Sequence, residues 1–369
     1  MTTHTAPIPS VAAAPRRVAT SGLVMAVASA LAFSASGPFI KPLLEAGWSL
    51  GAALLVRMSL AGLILSPALV RALRRERGFI RRHGFIIVAF GLTAVAGCQL
   101  FYFAAMQRMP VAVALLIQYV APVLLVLWVW LRSRRAPSKL VVGGSVLAMG
   151  GLVLVVDLTG ARFDLLGTLL ALGAAVCAAG YFAIAERAGD RMPPLALAAG
   201  GLIVGAALVG VLMLAGVLPF HAPAVTVELA GMTLPWYVPL GWVGAVGTTL
   251  GYALGVMAVP RTGARLASFV GLSEVLFTLM VAWLVLGEAP APIQFAGGAL
   301  ILTGVVLVRL DAAAAEPGAA QVVPGLPTGS IPIVPAAEAP APPAPVPATR
   351  AQLRAAAAAA LSAPARPAP

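Results

Sequence analysis

The sequence predicts an all-α integral membrane protein, with ten transmembrane helices arranged as two inverted five-helix repeats. Three observations point there. Sixty-one per cent of the 369 residues are hydrophobic and only 10% are charged, and the mean hydropathy is +1.00. A soluble domain carries roughly a quarter charged residues, so water-soluble domains and a single-anchor protein are both excluded. Continuous apolar runs recur along the chain, each near the about 20 residues that a helix needs to cross a bilayer. They lack the alternation of barrel strands, which leaves a helical bundle. Finally, the second half of the chain repeats features of the first.

The elements follow in order. Residues 1–18 are a polar lead-in, expected to be disordered. Run one covers residues 19–40 and contains Pro38, whose ring frees the carbonyl of Ser34. Arg16-Arg17 before it and Ala30-Leu31-Ala32 within it imitate a cleavable leader, but cleavage would leave nine spans and break the repeat. Run two, 49–70, carries Arg57 in its interior. Run three, 84–106, presents Gln99 and Tyr102 at i, i+3, on one helix face. Run four, 111–131, holds Gln118, Tyr119 and Pro122, and this proline frees the carbonyl of Gln118. Runs five, six and seven cover 139–157, 165–185 and 194–218. Run eight, 236–258, carries Thr249 and Tyr252, with Gly247, Gly251 and Gly255 at the four-residue spacing that lets helix backbones approach. Run nine, 263–286, repeats that spacing at Gly263, Ala267 and Gly271 and carries Glu274 about halfway along. Run ten is 291–310. Residues 311–369 hold 13 of the 31 prolines and much alanine, which predicts a disordered tail.

The net charge of +12 could suggest a nucleic-acid partner, but the basic residues sit in short loops between apolar runs. With the N-terminus placed inside, twenty of the 24 Lys and Arg residues fall on the cytoplasmic side. Only Lys41, Arg108 and Arg162 fall outside, and Arg57 lies within a span. This asymmetry predicts a multi-pass protein of the cytoplasmic membrane with both termini cytoplasmic. Cys98 and Cys177 lie inside apolar runs and read as small buried hydrophobes. No nucleotide loop, zinc motif or Cys/His cluster occurs, so neither metal nor cofactor is expected. The partners expected are a small-molecule substrate and the bilayer, with no nucleic acid. The chain is read as a monomer or weak homodimer.

The repeat is carried by Gly91 to Tyr102 against Gly241 to Tyr252, with identity at 91/241, 97/247, 100/250 and 102/252. Gly143-Gly144 and Gly150 likewise match Gly297-Gly298 and Gly304. The units are 19–158 and 159–310. Five spans per unit is an odd number, so the second copy must enter the membrane upside down. That is the arrangement of carriers that work by alternating access.

These residues resemble the EamA family of the drug/metabolite transporter superfamily over about 20–310. The resemblance rests on Ser36-Gly-Pro38-Phe-Ile-Lys41-Pro42 and on Ala114-Leu-Leu-Ile-Gln118-Tyr119-Val-Ala-Pro122. It rests also on Leu272-Ser-Glu274-Val with Leu286-Gly287-Glu288, and on Gly297-Gly298 to Gly304. The first repeat departs from the pattern, with Ser133-Arg134-Arg135 where Leu-Gly-Glu would stand. The resemblance implies a ten-helix transporter of small organic metabolites, such as amino acids or related compounds, often an exporter. A membrane-embedded enzyme or a non-transporting subunit acting with a partner is the alternative.

Candidate pathway residues are polar groups at depth, where they are costly and usually functional. Glu274 is a proton or cation site, or a hydrogen-bonded carboxylate that holds helices together. Arg57 pairs with Glu274, binds a substrate carboxylate, or snorkels to lipid. Gln99 and Tyr102, with Thr249 and Tyr252 at the matching positions, are expected to line one cavity across the repeat axis. Gln118 and Tyr119 are expected beside it. Lys41 is a gate candidate or an interfacial anchor. Transport coupled to protons through Glu274 and facilitated diffusion both remain open at this point.

Overall fold

The computed structural model describes residues 15–156, 164–189, 191–287 and 289–314. The chain divides into two compact units, Met1–Ala319 and Ala320–Pro369, and the second lies outside the described residues. Glu288 of the Leu286-Gly287-Glu288 motif, Arg162, and the lead-in before residue 15 also lie outside them.

Among the described residues, nine helical stretches are long and apolar enough to cross a membrane. They coincide with every apolar run except the fifth. That run forms a shorter apolar helix, Lys139–Val155, of 17 residues. It starts where the Ser138 hydroxyl accepts a hydrogen bond from the Val141 amide at 3.2 Å, an N-cap. At 1.5 Å per residue it spans roughly 25 Å, near the lower limit for a crossing. The outer limits also differ from expectation. The first helix begins at Pro15 and the last continues to Ala314, where Asp311 meets Arg265 at 2.8 Å.

One element corrects the all-α expectation. Between runs seven and eight, Thr226–Leu229 and Met232–Pro235 form an antiparallel hairpin. Leu229 pairs with Met232, leaving a two-residue loop in which Ala230 and Gly231 both have positive φ, 51° and 74°. That is the turn geometry that matches the twist of a tight hairpin. Val227 and Leu229 point inward and are buried with Trp48, Leu240 and Val243. The Ala230 amide donates to the carbonyl of Val285 at 2.9 Å.

Three runs are broken in mid-course. Run one is interrupted at Ala35, between Pro15–Ser34 and Ser36–Glu45. Run four is interrupted at Tyr119–Val120, directly before Pro122. Run nine is interrupted at Leu272, directly before Glu274. Proline explains the first two, since it cannot donate to the preceding turn. The Thr278 hydroxyl donates to the Ser34 carbonyl at 3.4 Å. Runs three and eight each contain a π-helical stretch, Gly91–Gly97 and Val243–Leu250, at corresponding places in the two halves.

Small residues set how the helices meet. A Cβ added at Gly144 would lie 2.7 Å from the Gly304 carbonyl, and one at Gly297 would lie 2.6 Å from that of Gly151. Runs five and ten therefore touch backbone to backbone, and the order of contacts makes them antiparallel. The same reading pairs run two with seven, through Gly51 at Met213 and Gly62 at Ile203. Run one pairs with eight, through Gly22 at Arg261 and Gly251 at Phe33, and run three with six, through Gly97 at Cys177 and Gly173 at Phe101. All four pairs are antiparallel. Lipid tails give no hydrophobic drive between helices, so such close approach supplies the dispersion that holds them.

Candidate functional site

A cavity of about 170 Å³ lies within the bundle. Runs one, three and four of the first half line it, together with runs six, eight and nine of the second. Runs two, five, seven and ten contribute no wall residue.

From run one come Ser29, Ala30 and Phe33. The Ser29 hydroxyl donates to the Gly251 carbonyl at 2.7 Å, which ties run one to run eight beside the opening. Run three supplies Ala94, Cys98 and Gln99, run four supplies Gln118, and run six supplies Tyr181 and Phe182. Run eight supplies Tyr252 and Gly255, and run nine Ala267, Gly271 and Glu274. Glu274 is the one charged side chain in this wall. It lies just past the break at Leu272, and the Tyr119 hydroxyl is directed toward it. Two polar atoms of the wall residues are buried without a hydrogen-bond partner, the Gln118 side-chain carbonyl oxygen and the Tyr181 hydroxyl. Buried polar groups are normally satisfied; Arg57 Nε and the hydroxyls of Ser36 and Thr248, on residues outside the wall, share this condition.

Aromatic rings stand nearly at right angles around this space. Phe33 meets Tyr252 edge-on at 5.1 Å, Tyr181 meets Phe182 at 4.9 Å, and Tyr181 meets Tyr252 at 6.0 Å. Glycine makes the approach possible. A Cβ at Gly255 would collide with the Tyr181 hydroxyl, and one at Gly251 would sit 2.8 Å from the Phe33 ring.

Of the residues singled out from sequence, Glu274, Gln99, Gln118 and Tyr252 line the cavity. Tyr119 reaches Glu274 from outside the wall. Tyr102 and Thr249 do not line it. Tyr102 packs instead against the cluster of Ala105, Met109, Val113, Ala114 and Ala171. The Thr249 hydroxyl is spent on the carbonyl of Gly244, five residues back, at 2.7 Å. That is the repeat of a π-helix, so uniform α-helical spacing misjudged where Thr249 points, whereas Tyr102 shares the α-helical Cys98–Met106 with Gln99. Arg57 is 8% exposed, buried in the bundle, not snorkelling to lipid. Its Nε has no partner, and its electrostatic neighbours are Tyr252, Glu274 and Cys98. No ion pair within 4.0 Å joins it to Glu274 among the described residues. Lys41 is remote from this cavity and borders a separate surface recess with Glu45 and Glu228.

Sequence reasoning missed Tyr181, Phe33 and Ser29. Tyr181 was findable. The chain has five tyrosines, and Tyr181 stands inside run six, where a phenol needs a hydrogen-bond partner as much as Tyr252 does. A second cavity, of about 630 Å³, adjoins the first in sequence, lined by Ala183, Glu186, Arg187, Gly263, Arg265 and Leu266 among others, with Trp128 and Arg132 from run four. The Glu186 carboxylate accepts the Ala264 amide there at 2.9 Å.

Comparison with known proteins agrees with this architecture. A family model described as the EamA-like transporter family matches residues 20–157 and 165–310, one match per half. Among curated proteins none matches. Among solved structures 29 chains match. One is a crystal structure of a protein that is 20% identical, with a TM-score of 0.62, the match covering 81% of this chain and 98% of that one.

Proposed function

The chain belongs to the EamA-like transporter family, and from that premise we propose that it is a secondary carrier of small polar organic metabolites. The two halves rock about the central cavity, exposing it to one side of the membrane and then the other. The observation that carries this reading is the composition of the wall. Runs one, three and four face runs six, eight and nine, and adding five to each number of the first set gives the second. The helix pairs obey the same exchange. Five with ten and two with seven map onto themselves, and one with eight maps onto three with six. Together with the antiparallel contacts, this supports ten crossings built as an inverted repeat, the arrangement whose halves can swap conformations.

The substrates are amino acids or related compounds, and the direction is export. The membrane is the cytoplasmic membrane with both termini inside, supported by the Arg-rich segments. The second cavity, rimmed by Arg132, Arg187 and Arg265, is then the inner vestibule. One chain encloses a complete cavity, which supports a monomer. Glu274 is the coupling site, since a carboxylate at that depth must be hydrated, paired or protonated.

The test is solute uptake by liposomes that hold the purified protein, run over a panel of polar metabolites with and without an imposed pH gradient. Accumulation of a subset of solutes, enhanced by the gradient, is expected. A panel in which nothing moves in either condition overturns the carrier.

A further inference from the structure

Resting on the carrier reading, we propose that the central cavity recognises the ammonium group of a small organic amine and makes no demand for a substrate carboxylate. Four features converge on this. Glu274 is the one charged group in the wall, and among the described residues it has no arginine or lysine within ion-pairing distance. Tyr119 is a hydrogen-bonding neighbour of Glu274 and Arg57 acts on the carboxylate at longer range, but among those residues no cation pairs with it directly. Gln118, a residue of the same wall, has a buried side-chain oxygen with no donor, and an ammonium brings several N–H donors where a carboxylate brings none. The Tyr181 hydroxyl is likewise without a partner, packed over Gly255, and both residues line the cavity. The rings of Phe33, Tyr181, Phe182 and Tyr252 stand near-perpendicular to their neighbours, forming walls around one volume. An aromatic lining of this kind takes an apolar body and is compatible with a cation beside it.

Arg57 is the cation that could have read a carboxylate. It is not part of the wall. Its charge acts through the protein on Tyr252, Glu274 and Cys98, so it moderates the field of Glu274 from behind. An anion entering the cavity would meet the Glu274 charge with no cation in the wall to offset it. A zwitterionic amino acid would be held through its ammonium alone, so within amino acids and related compounds the amines fit this wall best.

The test uses full-length protein purified in detergent and three probes that share one aryl body: phenethylamine, phenylalanine and 3-phenylpropionate. Binding is measured by isothermal titration. Phenethylamine is expected to bind most tightly and 3-phenylpropionate not at all. Glu274→Gln is expected to weaken phenethylamine by about tenfold or more, the loss of one charge-assisted hydrogen bond. Gln118→Leu, which leaves the membrane charges unchanged, is expected to weaken it severalfold and serves if Glu274→Gln does not fold. Phenylalanine binding more tightly than phenethylamine would overturn the proposal, as would unchanged affinity in a folded Gln118→Leu variant. Liposome counterflow separates the two readings. Transport of other solutes with no amine binding sinks the amine site and leaves the carrier standing. Amine binding without movement of any solute sinks the carrier and leaves the site.

Discussion

Glu274 and Gly255 show what single residues impose on this bundle. A glutamate in mid-span costs free energy that packing alone does not return, and it persists here beside a cavity, with Tyr119 turned toward it. Glu274→Gln keeps the shape and removes the titratable charge. In proteoliposomes its transport is expected to lose the response to a pH gradient, and a variant that still follows the gradient would remove Glu274 from coupling. Gly255 answers a steric need, because Tyr181 occupies the space a side chain would take. Gly255→Ala is expected to destabilise the protein by about 1–3 kcal/mol, the usual cost of overfilling a packed site. This would be read as a lower thermal midpoint in detergent. Adding Tyr181→Phe removes the colliding oxygen, so the double variant is expected to recover part of that loss.

At the scale of helices, the seam between Lys139–Val155 and Pro292–Ala314 gives a built-in control. Gly144 and Gly151 face backbone atoms of the opposite helix, whereas Gly143 and Gly150 face open space. Gly144→Ala and Gly304→Ala are each expected to lower the thermal midpoint. Gly143→Ala and Gly150→Ala are expected to leave it unchanged or raise it slightly, since alanine is the better helix former by about 1 kcal/mol. Equal effects in both sets would mean that the seam is not what holds these helices. This scale also shows what periodicity can reveal. The apolar runs and the proline breaks at Pro38 and Pro122 were legible, because each depends on local chemistry. The π-helical stretches were not, because no residue type dictates them and they arise where tertiary contact favours one extra residue per turn. Thr249 was placed on the wrong face for that reason; Tyr102, in an ordinary α-helix with Gln99, packs against the Ala105 and Met109 cluster instead, while Gln99 and Tyr252 line the cavity. The hairpin was missed as well, its four-residue strands being short beside the apolar runs that surround them.

For the molecule as a whole, the arrangement of crossings is testable by labelling. In a Cys98→Ala/Cys177→Ala background, a cysteine at Met232 in the hairpin is expected to react with an impermeant maleimide added to intact cells. A cysteine at Arg77, between runs two and three, is expected to react only after lysis. Reaction of both from one side would contradict the alternation of ten crossings. The sequence carried the membrane class, the family and the positions of the runs, since composition and hydropathy fix these without tertiary information. Which polar residues share a cavity was only half legible, because a wall made by six helices depends on rotations that no single helix encodes. The hairpin end carries one further consequence. The indole of Trp48 donates to the Pro223 carbonyl at 2.9 Å, and its ring lies 5.2 Å from that of Trp236. Any movement of Pro223 and Trp236 away from the start of run two must break that bond and separate the two fluorophores, so the protein carries its own optical gauge of whether these segments stay together.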